Sequence, residues 1–386
     1  MIAPILVGLG FTPLSAVILP SIGHGWAVTF GSLGSSFNAL IATTGLPSED
    51  LAPPAAIFLG VACLITGWLV AFASGGKKNL KRFFFPVLII GILMAVGQYF
   101  AAVLGLWNIA AFIGSIFGLV TIIVIISAQR AKDKGNNSIV QWKELFISLS
   151  NYVVLILIIM VVQLVPGVKP FLSQIKLNVN FPEIISNQGY ITPAGPGRTI
   201  SIFSHAGMLL LYASIIGFVI FKILGRLPQN AGKKILKDTF NKMTGSSISI
   251  LSMVSLAVIM EHTGMTATLA EGISTGLSNI YPFVAPWIGA IGAFMTGSNT
   301  NSNVVFSLLQ LKTAMLLNYP VVIILAGQTA GAAVASVIAP TKMVVGASTA
   351  GMEGKEGEVM RAMIGYTLIL ILTISILTTI AIKIFG

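Results

Sequence analysis

An uncharged polar run interrupts the apolar part of the sequence near residue 300. Eight small polar or glycine residues follow one another from Thr296 to Asn303, and no Asp, Glu, Lys or Arg occurs between Gly272 and Leu311. Ser, Thr and Asn cap helix N-termini and hydrogen-bond anions, whereas a loop in water normally also contains charged side chains. The pattern predicts a broken helix whose second half begins near Ser302, with free N–H groups that bind an anion. A short extracellular turn is the alternative.

Two other stretches are also rich in small and polar residues. The segment 24–38 contains clustered Gly and Ser, and paired interruptions early and late in a chain are typical of an inverted repeat with broken helices. The segment 326–342 is also small and polar. Close helix packing through small residues is the alternative for both. Together the three stretches give these predicted substrate-binding residues: Thr296, Gly297, Ser298, Asn299, Thr300, Asn301, Ser302, Asn303, Thr29, Gly31, Ser32, Ser35, Ser36, Gln328 and Thr329.

Few titratable groups are available for proton transfer at membrane depth. Glu261 and His262 end an apolar stretch, and His24 precedes the first polar patch. A titratable residue in a span is a functional candidate, and His changes charge near neutral pH. These three residues are therefore the candidates for proton coupling, with a structural hydrogen-bonding role as the alternative. Arg198 could attract an anion or be an ordinary residue of an outer loop.

The composition excludes an ordinary soluble domain. Of 386 residues, 55% are apolar and 9% are charged, whereas a soluble domain has about 25% charged residues. The single cysteine, Cys63, excludes a disulfide framework and a cysteine-ligated metal site, and three histidines make a His-built metal site improbable. We predict an all-α polytopic membrane protein that has no metal and no cofactor.

Charge-free stretches outline the spans, because a charge costs about 2.5–3.5 kcal/mol at a helix centre. A span needs about 20 residues, which predicts about ten to twelve transmembrane or re-entrant segments, with a break near Gly105–Asn108. We interpret residues 1–386 as one membrane transport domain, with halves 1–166 and 199–386 joined by an outer loop over 167–198. That loop could form a short hairpin or a lid, although an ordinary connector is the favoured interpretation.

Basic residues set the predicted orientation. Lys and Arg concentrate in three loops, Gly75–Arg82, Gln129–Lys143 and Lys222–Lys242. Two predicted spans lie between the first loop and the second, and two lie between the second and the third. The positive-inside rule places all three loops in the cytoplasm and predicts a multi-pass protein of the plasma membrane. The net charge of +11 is thus explained mainly by the basic loops that set the orientation in the membrane. These loops are short and do not indicate nucleic-acid binding.

The motifs resemble those of the L-lactate permease family. The run Thr-Gly-Ser-Asn-Thr-Asn-Ser-Asn at 296–303, followed by Val-Val-Phe-Ser-Leu-Leu-Gln, is similar to the family segment Thr-Gly-Ser-Asp-Thr-Ser-Ser-Asn. Further similarity comes from Leu6–Phe11, Val28–Phe37, Trp287-Ile-Gly, Thr263–Thr266, Ala326–Pro340 and Gly351-Met-Glu-Gly-Lys-Glu. The resemblance implies transport of lactate and glycolate together with protons, and by analogy an elevator-type movement.

Two departures from the family pattern affect the expectations. Asn299 stands where the family usually has Asp, which removes a charge from the site. The chain also begins partway into the family pattern. A fragment, a wrongly assigned start and a shortened relative are the three explanations for this.

The leading functional hypothesis is a proton-coupled carrier of small 2-hydroxy monocarboxylates, not an enzyme. Its expected partners are a small organic anion, a proton and the lipid bilayer, and a homo-oligomer is left open. The alternatives are a sodium-coupled organic-anion carrier, a channel, or a non-transporting fragment or subunit of such a carrier. A membrane enzyme is disfavoured, because no nucleophile–base pair lies in the spans. For the carboxylate we expect side-chain donors from Ser298, Asn299, Thr300 and Ser302, with the N–H groups of Ser302 and Asn303.

Overall fold

The computed structural model describes residues 2–130, 142–178, 180–186, 190–192, 194–196 and 200–386. It divides the chain into two compact units, one formed by residues 1–129 and 256–386 and the other by residues 130–255. Arg198 and the central part of the predicted basic loop Gln129–Lys143 lie outside the described residues.

Helices dominate both units. In chain order they are α1 Ile2–Gly8, α2 Pro13–His24, α3 Ser35–Thr44, α4 Ser48–Ala101, α5 Ala110–Arg130, α6 Trp142–Leu164, α7 Val168–Leu172, α8 Ala206–Ile223, α9 Ala231–His262, α10 Met265–Leu277, α11 Tyr281–Thr296, α12 Asn299–Leu316, α13 Val321–Ala335, α14 Pro340–Thr349 and α15 Glu356–Phe385. The predicted all-α polytopic class is confirmed.

Five helical runs in the described residues are long and apolar enough to cross a membrane. They are Pro13–Thr44, Ser48–Ala128, Met265–Thr296, Val321–Ile338 and Glu356–Phe385. The second run contains 81 residues, far more than one crossing needs. Non-helical backbone at Gly75 and Gly76 divides α4, and a π-turn and a 3-10 turn over 102–109 separate α4 from α5. The break predicted near residues 105–108 is therefore present.

The second unit contains α6, α7, α8 and most of α9, and α6 packs against α8. Between α7 and α8 the chain forms short antiparallel strands, which pair in nested order β1 with β6, β2 with β5 and β3 with β4. The strands are β1 Lys176–Leu177, β2 Asn180–Phe181, β3 Ile184–Ile185, β4 Ile191–Thr192, β5 Gly195–Pro196 and β6 Ile200–Ser201. The segment predicted to be an outer loop thus forms a long hairpin, the alternative to the favoured interpretation as an ordinary connector.

The first unit is built around α13. Every residue of α13 from Ile323 to Ala335 is buried, and this helix packs against α4, α11, α12 and α15. Small residues make the contact with α11 close: a Cβ added at Gly331 would lie 2.2 Å from the backbone oxygen of Pro286. Lipid tails are as apolar as Leu, so close van der Waals packing of this kind, rather than the hydrophobic effect, holds such helices together.

Both predicted helix interruptions of the first unit are present. After α2 the chain forms a 3-10 turn over Gly25–Ala27 and a second over Ser32–Gly34 before α3 begins. Ser32 and Leu33 adopt left-handed φ angles of 48° and 54°, which are unusual for residues with a Cβ. The other interruption separates α11 from α12. The inverted relationship between the two stays a prediction.

The α11–α12 interruption is shorter than predicted. α11 ends at Thr296, Gly297 takes a left-handed conformation with φ of 72°, and α12 begins at Asn299. The expectations that residues 296–303 are non-helical and that the second half begins near Ser302 are therefore wrong. The reason is Ser298, whose side chain accepts the backbone N–H of Asn301 at 3.2 Å and caps the helix.

Candidate functional site

The capped start of α12 fixes the direction of two asparagines. Asn299 and Asn303 are four residues apart, so they share one face of the helix, and both are buried, at 1% and 0% exposure. The Nδ2 group of Asn299 donates to Thr29 Oγ1 at 3.0 Å. The Nδ2 group of Asn303 donates to the backbone oxygen of Ser36 and to Thr329 Oγ1, both at 2.9 Å.

Four further contacts join the same three parts of the chain. Thr29 Oγ1 lies 3.3 Å from both the backbone oxygen and the Oγ1 atom of Thr329. Thr300 Oγ1 lies 3.0 Å from Ser36 Oγ and 3.5 Å from Ser35 Oγ. We call the residues connected in this way the Asn299 cluster; they are Thr29, Ser35, Ser36, Asn299, Thr300, Asn303 and Thr329. The structure therefore brings together residues from all three polar stretches of the sequence.

A second chain of hydrogen bonds runs beside the cluster. Ser302 Oγ donates to the backbone oxygen of Gly289 at 2.8 Å and accepts from Gln328 Nε2 at 3.2 Å. Gln328 Oε1 accepts from Gln310 Nε2 at 2.9 Å, and Gln310 accepts from the hydroxyl of Tyr281. Satisfied polar groups of this kind cross-link helices and contribute about 0.6–2 kcal/mol each in a membrane.

Sequence reasoning missed Gln310 and Tyr281. Gln310 follows Asn303 by seven residues, which is two helical turns, so the spacing of the polar residues along α12 already indicated a common face. Tyr281 carried no comparable signal, because an aromatic residue at the start of an apolar helix is ordinary.

Two acceptors in the Asn299 cluster have no partner. In the described part of the chain, the Oδ1 atoms of Asn299 and Asn303 are buried without a hydrogen bond. An unpaired polar atom in such surroundings costs about 1–3 kcal/mol, which a ligand that donates a hydrogen bond or carries positive charge would recover. Both protons of Asn303 Nδ2 are already used, so a bound group facing this side chain must be a donor or a cation.

The start of α12 offers hydrogen-bond donors, in contrast to the two unpaired acceptors. Among the described hydrogen bonds there is no acceptor for the backbone N–H groups of Asn299 and Thr300, and the helix dipole is positive at this end. The expected use of the Ser302 and Asn303 N–H groups is not possible in this conformation. Ser302 N–H already donates to the backbone oxygen of Ser298 at 3.1 Å, and Asn303 lies inside the helix. The N–H groups without a described acceptor therefore lie three residues earlier than the predicted ones.

The remaining predicted binding residues surround the cluster without entering it. Thr296 Oγ1 donates to the backbone oxygen of Gly292 at 2.8 Å and thus closes α11. Gly31 N–H bonds the backbone oxygen of Ala27, and Ser32 is exposed. Gly297 and Ser298 form the break itself, and Asn301 is buried one residue from Ser302.

The candidates for proton coupling lie elsewhere. Glu261 and His262 are half-buried at the C-terminal end of α9, and His24 is exposed at the end of α2. In the part of the chain that the structure describes, no hydrogen bond joins Glu261 or His24 to the Asn299 cluster. A coupling role for these residues stays a prediction.

These features define the class of protein. It is a polytopic α-helical membrane protein whose interrupted helices meet at an uncharged polar cluster that is buried at Thr29, Ser36, Asn299, Asn303 and Thr329. A profile of the L-lactate permease family matches residues 1–385. The chain therefore belongs to the L-lactate permease family, as the sequence motifs indicated.

Relatives in this family are similar over much of the chain. An L-lactate permease of Streptococcus iniae is 29% identical over 324 residues, covering 82% of this chain and 65% of that protein. An L-lactate permease of Bacillus subtilis is 24% identical, and the glycolate permease GlcA of Escherichia coli is 25% identical, each covering 97% of this chain. The chain spans 73% and 72% of the length of these two relatives.

Proposed function

We propose that this protein carries small 2-hydroxy monocarboxylates, such as lactate and glycolate, across the plasma membrane together with protons. The observation that supports this most is the pair of opposite binding groups at the start of α12. Unused N–H groups of Asn299 and Thr300 suit a carboxylate, and the unpaired Oδ1 atoms of Asn299 and Asn303 suit a hydroxyl donor. A 2-hydroxy acid supplies both groups on adjacent carbon atoms.

The names of the relatives agree with this assignment. Lactate and glycolate share the carboxylate and the 2-hydroxyl and differ by one methyl group. A site that recognises only the shared groups discriminates weakly between them, since one methyl group in an apolar pocket is worth about 1–3 kcal/mol. We therefore expect both acids to be substrates.

Proton coupling is the finer part of the proposal. Glu261, with His262 and His24 as further candidates, would take up the proton, because they are the titratable residues that the sequence places at the ends of apolar stretches. Sodium coupling is the second candidate, because the two unpaired amide oxygens also suit a hard cation.

Uptake by purified protein in liposomes tests the proposal. Labelled L-lactate should accumulate when the lumen is alkaline relative to the medium, and should not accumulate without a gradient. Accumulation driven by an inward sodium gradient at equal pH would favour the sodium-coupled candidate. Absence of uptake and of exchange for both lactate and glycolate would contradict the proposed function.

A further inference from the structure

Lys342 is a lysine whose observed hydrogen-bond partner is a neutral hydroxyl. It lies in the first turn of α14 and is half-buried. Its Nζ atom donates to Ser336 Oγ at 3.1 Å, and Ser336 is completely buried. No carboxylate lies within ion-pair distance of Lys342 among the described residues, so its observed partner is a neutral hydroxyl.

A partly buried ammonium without a counter-ion is destabilising. Desolvation disfavours the charged form, and burial accordingly lowers the pKa of the Lys342 ammonium. The titratable group on which Lys342 acts electrostatically is His24, which carries no negative charge. A protein stabilises such a lysine with an acidic side chain or with a bound anion, and the acidic side chain is absent from the described surroundings.

Lys342 also lies beside the helix interruption that begins the candidate site. The preceding residue, Thr341, packs on Gly297: a Cβ added at Gly297 would lie 2.5 Å from Thr341 Oγ1 and 3.9 Å from the Cβ of Ala339. The start of α14 therefore meets the junction between α11 and α12. Lys342 therefore follows directly the residue that contacts this junction, and the positive end of the α12 dipole lies at the same junction. A lysine ammonium and a helix N-terminus both favour an anion.

We propose that Lys342 is a substrate-binding residue whose ammonium pairs with the carboxylate of the transported acid at the α11–α12 junction. This inference rests on the proposed function and adds a residue that the sequence motifs did not indicate. It gives a counter-ion to a half-buried ammonium whose observed partner is the hydroxyl of Ser336. Ser336 then holds the ammonium in place while the site is empty.

Substitution of Lys342 tests the charge directly. In liposomes, Lys342→Gln should raise the KM for labelled L-lactate at least tenfold, whereas Lys342→Arg should keep it within about threefold of the unsubstituted protein. Ser336→Ala removes the neutral partner but leaves the charge, so its KM should also stay within about threefold. A purely structural role would instead make Ser336→Ala resemble Lys342→Gln.

Chemical restoration of the amine separates charge from folding. Cys63 is the single cysteine and is buried, so Cys63→Ala gives a cysteine-free parent. In that parent, Lys342→Cys should lose affinity, and a thiosulfonate reagent that attaches an aminoethyl group should restore it. A reagent that attaches a neutral methyl group should not. Lys355→Cys, at an exposed position before α15, is the matched control and should respond to neither reagent.

The outcomes distinguish the inference from the proposed function. If the parent transports lactate but Lys342→Gln has an unchanged KM, or if both reagents restore Lys342→Cys equally, the role of Lys342 is overturned and transport stands. If neither reagent restores it although mass measurement shows full modification, the role is also overturned. If the parent neither takes up nor exchanges lactate or glycolate, the proposed function itself fails.

Discussion

Asn299 and Thr29 are 270 residues apart in the chain and are joined by a 3.0 Å hydrogen bond from Asn299 Nδ2 to Thr29 Oγ1. This bond connects the start of α12 to the interruption between α2 and α3, and Asn303 extends the connection to α13 through Thr329. Within the cluster the Nδ2 groups of both asparagines donate hydrogen bonds, whereas their Oδ1 atoms accept none. The predictions below concern this arrangement, the helix packing that supports it and the coupling that would drive it.

Asn299→Asp should make substrate affinity depend on pH. Burial among neutral groups raises the pKa of a carboxyl group, and its ionised form repels an anion. Affinity for lactate should therefore be highest at low pH, where the new group is protonated, and fall as pH rises through its raised pKa. The apparent KM measured between pH 5 and 8 checks this. A profile that matches the unsubstituted protein would mean that Asn299 does not face the substrate.

Glu261→Gln should separate accumulation from exchange. If Glu261 carries the proton, its loss prevents accumulation of lactate against a gradient, while exchange of internal for external lactate continues because it needs no net proton movement. Both are measured with labelled lactate in liposomes. Glu271→Gln, on the exposed surface of α10, is the control and should retain both activities. Normal accumulation by Glu261→Gln would assign Glu261 a structural role.

Gly331→Ala should destabilise the protein. The added Cβ would lie 2.2 Å from the backbone oxygen of Pro286, so α11 and α13 would have to move apart. Gly365→Ala in α15 is the control, because a Cβ there meets nothing within 4 Å. Thermal unfolding in detergent should show a lower Tm for Gly331→Ala and an equal or higher Tm for Gly365→Ala. Equal values for the two variants would contradict the packing described here.

The basic segments should face the cytoplasm. Cysteines introduced at Asn79 and Gln229, in the Cys63→Ala parent, should be protected from an impermeant thiol reagent added to intact cells and labelled after permeabilisation. The reason is that Lys and Arg near span ends resist translocation. Labelling of either position from outside would reverse the predicted orientation.

The sequence predicted the helix interruptions better than their contacts. An uncharged cluster of Gly and Ser at membrane depth is most simply explained by a helix break that is buried in protein. The breaks before α3 and before α12 could therefore be expected. Ser298 shows the limit of this reasoning: several consecutive residues from 298 to 303 are good N-caps, and only tertiary packing selects one. The contact of Thr29 with Asn299 depends on how distant helices are placed, which no local pattern encodes.

Lys342 shows a different limit. In the sequence it marks the end of an apolar stretch, where a lysine normally reaches water. In the structure it is half-buried and donates to Ser336, a contact between residues six apart that the hydropathy of the stretch does not indicate. The hairpin in the segment predicted to be an outer loop was also not the favoured interpretation. Strands of two residues each have too little sequence periodicity to be distinguished from a connector.

Competition between lactate and propionate tests the central claim most directly. Propionate has the carboxylate of lactate but lacks the 2-hydroxyl, so it would leave the Oδ1 atoms of Asn299 and Asn303 unpaired. A loss of about 1.4 kcal/mol or more corresponds to at least tenfold weaker binding. Propionate should therefore inhibit labelled lactate uptake with a Ki at least ten times that of unlabelled lactate. Asn303→Ala should reduce this ratio, whereas Asn241→Ala, at an exposed position on α9, should not. Equal inhibition by the two acids in the unsubstituted protein would contradict recognition of the hydroxyl by the Asn299 cluster.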